Sequence, residues 1–301
     1  MNIRYARPNE TEQVRGLWVE GFGETQPYTS WYFRQIYRPE RTLCLWEDGQ
    51  LASCLQLAPY RLMLNGQIRR AAYLVGVVTE KSRQNKGFAR SLLRYACREL
   101  KQSGYSMAML YTEIPGFYEP LGFVECYQLR HQYFPAREAP LPPNWRSAQI
   151  SPTELARCDQ IYHNMTRGWN GYLLRSPENW RNFMEDFLCE GGALWMSSKA
   201  YLLWLPEKGN FRIHEIGYAT EAALQEAISL SQTLARKEGF PSAHWYAPLP
   251  APQLGELREI RPHVMCRRLD VPNSWSEETI SRFTEESYEM TKDRNWVNEI
   301  T

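Results

Sequence analysis

The sequence predicts an α/β (α+β) protein with two domains in tandem, each a mixed central sheet flanked by helices. The chain has 301 residues, which exceeds the usual size of one domain. Short runs of strand character alternate with segments of helical periodicity along the chain. A proline-rich stretch near the middle favours a linker, because proline interrupts helices and sheet ladders alike. Its prolines are Pro135, Pro140, Pro142 and Pro143. We therefore predict domains at residues 1–138 and 145–271, followed by a helical tail at 272–301.

Strands and tight turns dominate the first half of the chain. Asp48-Gly49 and Asn65-Gly66 are typical of turns that join the two strands of a hairpin. Pro8 and the polar and acidic residues after it are suited to a helix start. A short turn is expected at residues 117–123. The strands of this half are predicted at residues 3–6, 43–47, 51–57, 61–64, 67–71, 73–79, 106–111 and 124–133.

Residues 87–103 give the clearest helical pattern in the chain. Their apolar side chains recur at the spacing of one helix face, and Gly104 supplies a helix end. This face consists of Ala89, Leu92, Leu93, Ala96, Cys97 and Leu100. We expect the helix to pack this face against the sheet of the first domain.

The second half repeats the order of strands and helices in a weaker form. Helices are predicted at residues 152–165, 176–188 and 221–238. Strands are predicted at residues 193–197, 199–205, 211–219, 244–246 and 264–271. Residues 273–301 are polar with sparse apolar anchors, so they form either one helix packed on the surface or a partly mobile tail.

Composition and charge exclude several classes of function. Lys plus Arg number 35 and Asp plus Glu 34, so the chain lacks the basic excess of a nucleic-acid-binding protein. No apolar run approaches the ~20 residues of a membrane span, and the N-terminus lacks the apolar core of a signal peptide. The seven cysteines are odd in number and form no Cys-x-x-Cys pair, which argues against a disulfide framework or a zinc site. We expect a cytoplasmic protein with reduced thiols, no nucleic-acid or membrane partner and no metal.

Residues 77–93 combine an apolar strand, a glycine-containing loop and the start of the long helix. The first N–H groups of a helix lack partners and carry partial positive charge. Gly87 has no Cβ and Ala89 is small, so an anionic group can approach the backbone closely. The loop therefore predicts a pyrophosphate-binding site built of amide donors, with Arg83 and Lys86 adding charge at its rim. The loop residues are Gln84, Asn85, Lys86, Gly87, Phe88 and Ala89.

A second motif follows the next strand, at Phe117-Tyr118-Glu119-Pro120-Leu121-Gly122-Phe123. Together with Val77-Val78-Thr79 and Gln84-x-x-Gly87-x-Ala89, it resembles the motifs of GCN5-related N-acetyltransferases (GNAT). The motifs stand in that family's order and at its spacing. The resemblance covers residues 1 to about 135.

This resemblance implies acetyl-CoA as the co-substrate and assigns a role to each motif. Val77, Val78 and Thr79 would offer backbone groups to the pantetheine arm and the thioester carbonyl. The loop at residues 84–89 would bind the pyrophosphate. Tyr118 would donate a proton to the departing CoA thiolate, a role that suits a phenol in a closed site.

Two carboxylates are candidates for the base that accepts a proton from the acceptor amine. Glu24 follows the first predicted helix, where this fold often lines its acceptor cleft, and Glu113 follows the strand that leads to Tyr118. Either carboxylate could attract a cationic acceptor or relay its proton through water. Either could equally be an ordinary surface acid.

The whole chain also resembles the enhanced intracellular survival (Eis) family through Tyr172 to Trp180, Ala200 to Trp204 and His214-Glu215-Ile216. The likeness implies a second, degenerate acetyltransferase-like domain without a second cofactor loop. Only about 30 residues follow Val271, too few for that family's sterol-carrier-like third domain, whose C-terminal carboxylate serves as the base. Homo-oligomerisation is a further expectation taken from this resemblance.

The predicted function is acetyl-CoA-dependent transfer of an acetyl group to a primary amine by direct attack in a ternary complex. The acceptor would be a small molecule, an aminoglycoside-like compound, a polyamine or a lysine. Holding both reactants together supplies much of the rate acceleration in such a mechanism. Two alternatives are a non-catalytic acyl-CoA-binding module and a transferase that uses a longer acyl-CoA.

Overall fold

The computed structural model describes residues 1–23 and 26–289. Glu24 therefore lies outside the described residues, as does the end of the predicted tail. The chain forms two compact units, the first made of Met1–Cys126 and the segment that begins at Val264, the second of Tyr127–His263.

The strands are β1 (Asn2–Tyr5), β2 (Thr42–Glu47), β3 (Gln50–Leu64), β4 (Gln67–Thr79), β5 (Met107–Tyr111), β6 (Val124–Pro135), β7 (Arg146–Ala148), β8 (Tyr172–Leu174), β9 (Ala193–Met196), β10 (Ala200–Glu207), β11 (Asn210–Tyr218), β12 (Ser242–Pro248) and β13 (Glu256–Arg268). The α-helices are α1 (Thr11–Phe22), α2 (Gln26–Gln35), α3 (Phe88–Gln102), α4 (Pro115–Tyr118), α5 (Pro152–Met165), α6 (Pro177–Cys189), α7 (Glu221–Lys237) and α8 (Glu277–Glu289).

The first unit is a mixed sheet in the order β1-β2-β3-β4-β5, completed by the end of β13. Neighbouring strands run antiparallel except β4 and β5, which are parallel. Helix α3 makes the crossover between those parallel strands, as a parallel connection requires. Its predicted apolar face is confirmed from Leu92 to Leu100, where Leu92, Leu93 and Ala96 are fully buried, whereas Ala89 is only partly buried.

The parallel strands β4 and β5 separate after a short common stretch. Their register joins Ala71–Tyr73 to Met107–Met109, and β4 then runs on to Thr79 while β5 ends at Tyr111. Within the described residues, the last part of β4 therefore has no β5 partner. The separation leaves a cleft at the end of β4, beside the N-terminus of α3.

A β-bulge at Gly76 shapes the end of β4. Cys54 pairs with Val78 and Gln56 with Val75, so β4 carries one more residue than β3 across this point. Gly76 has φ +62°, a conformation that glycine adopts without steric cost. A Cβ at this position would lie 2.3 Å from Cζ3 of Trp18, so the bulge also requires glycine for space.

The two central hairpin strands are longer than the sequence predicts. The separate predicted strands at 51–57 and 61–64 are one strand, β3, and those at 67–71 and 73–79 are one strand, β4. Register continues from Ser53 opposite Thr79 to Leu64 opposite Gln67, interrupted only by the bulge. Pairing across the hairpin therefore holds together segments that the local pattern separates.

The second unit repeats the same succession of elements. Its sheet has the order β6-β12-β11-β10-β9-β7, with β11 and β12 parallel and the other pairs antiparallel. The hairpin β10–β11, the helix α7 and the strand β12 follow one another as β3–β4, α3 and β5 do in the first unit. Large aromatic side chains fill its core, among them Trp180, Tyr201 and Trp245.

The division into units differs from the predicted ranges of 1–138, 145–271 and 272–301. The change of unit falls inside β6, at Cys126 and Tyr127, and the chain returns to the first unit at Val264. The physical reason for that return is pairing, since Val264–Arg268 runs antiparallel to Tyr111–Met107 of β5. The predicted strand at 264–271 is in fact the end of β13, which begins at Glu256. Charged residues at its start obscure the strand pattern in the sequence.

Candidate functional site

A pocket of about 490 Å³ lies at the cleft between the end of β4, the start of α3 and α4. It is lined by Val77, Thr79, Arg83, Gln84, Asn85, Gly87, Phe88, Ala89, Arg90, Ile114, Phe117 and Tyr118. The structure therefore brings most of the predicted loop residues and Tyr118 to the same pocket. Within the described residues, no group of three or more His, Cys, Asp or Glu side chains is arranged to hold a metal ion.

The loop before α3 presents its backbone to this pocket. Asn85 and Gly87 have φ values of +63° and +79°, so the chain turns sharply at both positions. The α-helical ladder starts where Ser91 N–H donates to the carbonyl of Gly87 at 3.0 Å. The N–H groups of Phe88, Ala89 and Arg90 precede that ladder and are available to an anionic ligand. A Cβ on Gly87 would meet no protein atom within 4 Å, because this face of the loop is open.

The cationic side chains at the rim of the loop lie close to carboxylates outside the pocket lining. The Arg83 guanidinium lies 3.0 Å from the Glu47 carboxylate and 3.0 Å from that of Glu80. Lys86 Nζ lies 3.9 Å from the same Glu47 carboxylate and does not line the pocket. Arg83 therefore stabilises the loop more than it charges the pocket.

Arg90 is the more available cation at the pocket. It stands in the first turn of α3, is exposed, and lies 5.4 Å from the centre of the Phe117 ring. Among the described residues it has no carboxylate within the 4.0 Å of an ion pair. Arg90 is three residues after Gly87, so helix periodicity alone places it near the loop, a signal that the sequence contains.

The end of β4 is fixed from the side of β3 and from the loop. Ser53 Oγ donates to the Val78 carbonyl at 2.7 Å and lies 3.0 Å from Thr79 Oγ1. Gln84 Nε2 donates to the Thr79 carbonyl at 3.3 Å, which closes the loop onto the strand. The side chain of Val78 does not line the pocket and instead contacts Gly21, where a Cβ would lie 2.3 Å from Val78 Cγ2.

Tyr118 ends α4 and is buried, with 7% of its surface exposed. Its ring packs edge-on against Phe117 at 5.0 Å and Phe123 at 6.0 Å between ring centres. Burial raises the pKa of the phenol, and a hydrogen bond with Thr112 opposes that rise. The side chain is therefore a neutral proton donor at physiological pH.

Of the two predicted bases, Glu24 lies outside the described residues and Glu113 is not placed at the pocket. Glu113 is exposed and does not line the pocket, whereas its neighbour Ile114 does. Ile114 and Phe117 were not predicted as site residues. Both are close to Tyr118 in sequence, but the motif that identified Tyr118 begins at Phe117 and does not include Ile114.

The N-terminus of α3, the edge of β4 that lacks a β5 partner and the buried phenol of Tyr118 meet at this pocket. Residues 2–126 match the family model of the acetyltransferase (GNAT) domain. The first unit therefore contains a GNAT acetyltransferase domain, and the protein is an acyltransferase enzyme. No curated protein matches the sequence.

Solved structures of similar fold cover most of the chain. Eis1 from Mycobacterium abscessus has a TM-score of 0.70 at 14% identity, over 90% of this chain and 74% of its own. A conserved protein from Enterococcus faecalis V583, named a probable N-acyltransferase, gives 0.75 at 15% identity over 89% and 73%. A GCN5-related N-acetyltransferase from Kribbella flavida gives 0.73 at 17% identity over 90% and 71%. At these identities the likeness shows the fold.

Proposed function

We propose that this enzyme transfers the acetyl group of acetyl-CoA to a primary amine held in the same site. The observation that carries the proposal is the convergence of the Gly87 loop and Tyr118 on one pocket. The loop offers N–H donors and an open face to a pyrophosphate, and Tyr118 offers a neutral acid to a leaving thiolate. The donor set thus fits the two chemically distinct parts of acetyl-CoA that need binding and protonation.

In the proposed mechanism the amine attacks the thioester carbonyl directly. A C–N bond forms, the C–S bond breaks, and Tyr118 gives its proton to the departing thiolate sulfur and regains one from solvent. The proton lost by the amine goes to water or to a carboxylate, for which Glu113 and Glu24 are candidates. Holding amine and thioester together accounts for much of the acceleration.

The backbone at residues 77–79 is proposed to hold the pantetheine arm. Its separation from β5 supports this role, because an extended ligand can add to the unpaired strand edge through main-chain hydrogen bonds. Val77 and Thr79 line the pocket, whereas the side chain of Val78 packs against Gly21. The acceptor is an amine of a small molecule, an aminoglycoside-like compound, a polyamine or a lysine.

We further propose that the second unit is a degenerate acetyltransferase-like domain without a cofactor site. The repeated order of hairpin, helix and strand supports common architecture. At the N-terminus of α7, the Thr220 hydroxyl accepts a hydrogen bond from the Ala223 N–H at 3.2 Å. A side chain therefore already binds one of the N–H groups that an anionic ligand would need. Only Ala219 and Thr220 separate β11 from α7, whereas residues 80–87 separate β4 from α3.

The proposed function is tested by incubating the purified chain with acetyl-CoA and a panel of amines while free thiol is measured. We expect amine-dependent thiol release that falls about 10²- to 10⁴-fold in Tyr118→Phe, the range for removal of a general acid. Tyr111→Phe, a change at an exposed tyrosine outside the pocket, is the matched control and should retain activity. Binding of acetyl-CoA without turnover would instead indicate a binding module. Faster turnover with a longer acyl-CoA would show that the acyl donor is that longer acyl-CoA and not acetyl-CoA.

A further inference from the structure

Side chains from the end of the chain hold the turn that carries Tyr118. That turn continues from α4 through a 3₁₀ helix at Glu119–Leu121 to Gly122. Arg267, near the end of β13, donates from Nη1 to the carbonyl of Leu121. The same Nη1 forms an ion pair with the carboxylate of Glu277, the first residue of α8. Within the first unit, Arg267 thus connects the turn to the C-terminal helix.

The contact between the turn and this ion pair is close. Gly122 has φ +79°, and a Cβ on it would lie 2.8 Å from Glu277 Oε2 and 2.9 Å from Arg267 Nη1. No side chain larger than hydrogen fits there without moving the pair. The turn, Arg267 and Glu277 therefore pack as one group.

Helix α8 is firmly anchored to the first unit. Its inner face buries Ile280, Thr284 and Tyr288, which are 5%, 0% and 3% exposed. Arg268 fixes the helix from the adjoining strand, since its N–H donates to Thr284 Oγ1 at 3.2 Å and its Nη1 to Ser287 Oγ at 3.0 Å. Glu277 thus lies on a helix that packs against the first unit.

Movement of the turn would reach Tyr118 through short connections. Gly122 N–H donates to the Glu119 carbonyl at 2.9 Å, and Phe123 N–H to the Tyr118 carbonyl at 3.4 Å. Leu121 and Phe123 are 1% and 0% exposed, so neither can move without disturbing the core beside the Tyr118 ring. Tyr118 and the Leu121 carbonyl thus belong to one hydrogen-bonded turn that is packed into the core.

We propose that Arg267 and Glu277 are positioning residues that hold Tyr118 in its place for proton donation, and that α8 provides their support. The inference rests on the proposed role of Tyr118. The Arg267 and Glu277 side chains are 13% and 39% exposed, and partly solvated ion pairs contribute little to stability. The pair is therefore better suited to fixing geometry than to holding the fold together.

The test is Glu277→Ala, with Glu278→Ala at the exposed neighbour as the matched control. We expect kcat to fall about tenfold or more in Glu277→Ala, since small misplacement of a reacting group has effects of this size. The KM for acetyl-CoA and the thermal unfolding temperature should change little. In a Tyr118→Phe background, Glu277→Ala should cause no further loss. An equal loss in both backgrounds, or no loss in either, would overturn the proposal.

A second measurement separates this proposal from the proposed function. The ring signal of Tyr118 in ¹³C-tyrosine-labelled protein, assigned by its absence in Tyr118→Phe, reports the phenol's environment without turnover. We expect the signal to shift in Glu277→Ala and to stay in place in Glu278→Ala. An unmoved signal in Glu277→Ala would contradict the positioning role even in an active enzyme. Absence of turnover with a shifted signal would contradict only the proposed function.

Discussion

At the scale of single residues, environment decides what Tyr118 can do. An exposed phenol and a buried phenol are the same chemical group but differ in pKa. Burial raises the pKa of Tyr118 and so favours the protonated form. The sequence motif alone identified this residue. Its burial against Phe117 and Phe123 could not be derived from the motif, because it depends on how α4 packs.

The raised pKa of Tyr118 gives a testable pH dependence. Because the folded-state pKa lies above the ordinary value of about 10, more than half of the phenol is still protonated at pH 10, and the proton is lost at higher pH. We expect thiol release in the wild type to decline with a midpoint above about pH 10. The decline should be absent from the residual activity of Tyr118→Phe. A decline centred near pH 8 that persists in Tyr118→Phe would assign it to another group.

His214 in the second unit predicts a loss of stability in acid. It is 5% exposed, and its ring centre lies 3.7 Å from that of Phe187. Burial, together with nearby Arg212 and Arg175, lowers its pKa well below 6.5. The stability that depends on its neutral form is complete above pH 6.5 and is lost as the pH falls toward the lowered folded-state pKa.

We therefore expect the free energy of unfolding to fall by up to about 1.4 kcal/mol for each pH unit below 6.5 through this one group. His214→Gln removes the titration and should reduce that slope, as measured by denaturant unfolding between pH 7 and 5. His163→Gln, at an exposed histidine of α5, should behave as wild type. A slope that His214→Gln leaves unchanged would contradict the assignment.

At the scale of elements, the bulge in β4 determines the shape of the pocket. Gly76→Ala would place a Cβ against the Trp18 ring in a backbone conformation that L-residues avoid. We expect a loss of stability of about 2–5 kcal/mol from strain and overpacking together, and weaker acetyl-CoA binding. Denaturant unfolding and calorimetric titration measure the two effects.

Gly66→Ala is the control for the backbone strain in that experiment. Gly66 has φ +71° in the turn between β3 and β4, and a Cβ there would meet nothing within 4 Å. We expect it to lose only about 1 kcal/mol and to bind acetyl-CoA normally. Equal losses in the two variants would show that the Trp18 contact is unimportant.

Elements with strong local patterns were predictable from the sequence, and elements fixed by pairing were not. The periodicity of α3 and the helix over Pro152–Met165 stand in the structure as predicted. Strands β7 and β8 have three residues each, too few to show alternation. The bulge at Gly76 was not predicted, because Trp18, whose ring leaves no space for a Cβ at position 76, is distant in sequence.

The same contrast holds for the candidate site. The loop at residues 84–89 and Tyr118 carry their own signals, and the structure brings them to one pocket. Val78 was predicted with the strand end and Lys86 with the loop, and neither residue lines the pocket. The contacts of Arg267 with the Leu121 carbonyl and with Glu277 join residues that are far apart in sequence. No local pattern encodes such a contact.

At the scale of the whole molecule, the two units share the same succession of elements, but only the first is proposed to bind acetyl-CoA. The first has an open glycine at the start of its crossover helix, and the second has Thr220, whose hydroxyl caps its own helix. We therefore expect one acetyl-CoA to bind per chain. Two sites of comparable affinity would contradict the proposal that the second unit has no cofactor site.

Calorimetric titration of acetyl-CoA into wild type, Gly87→Ala and Gly87→Glu measures whether the loop at residues 84–89 binds the cofactor. Gly87→Ala adds strain in the loop but no bulk that contacts protein, so binding should weaken modestly. Gly87→Glu directs a carboxylate toward the proposed pyrophosphate position, and we expect binding to fall below detection while the protein remains folded. Unchanged affinity in Gly87→Glu would contradict the assignment of this loop as the cofactor site.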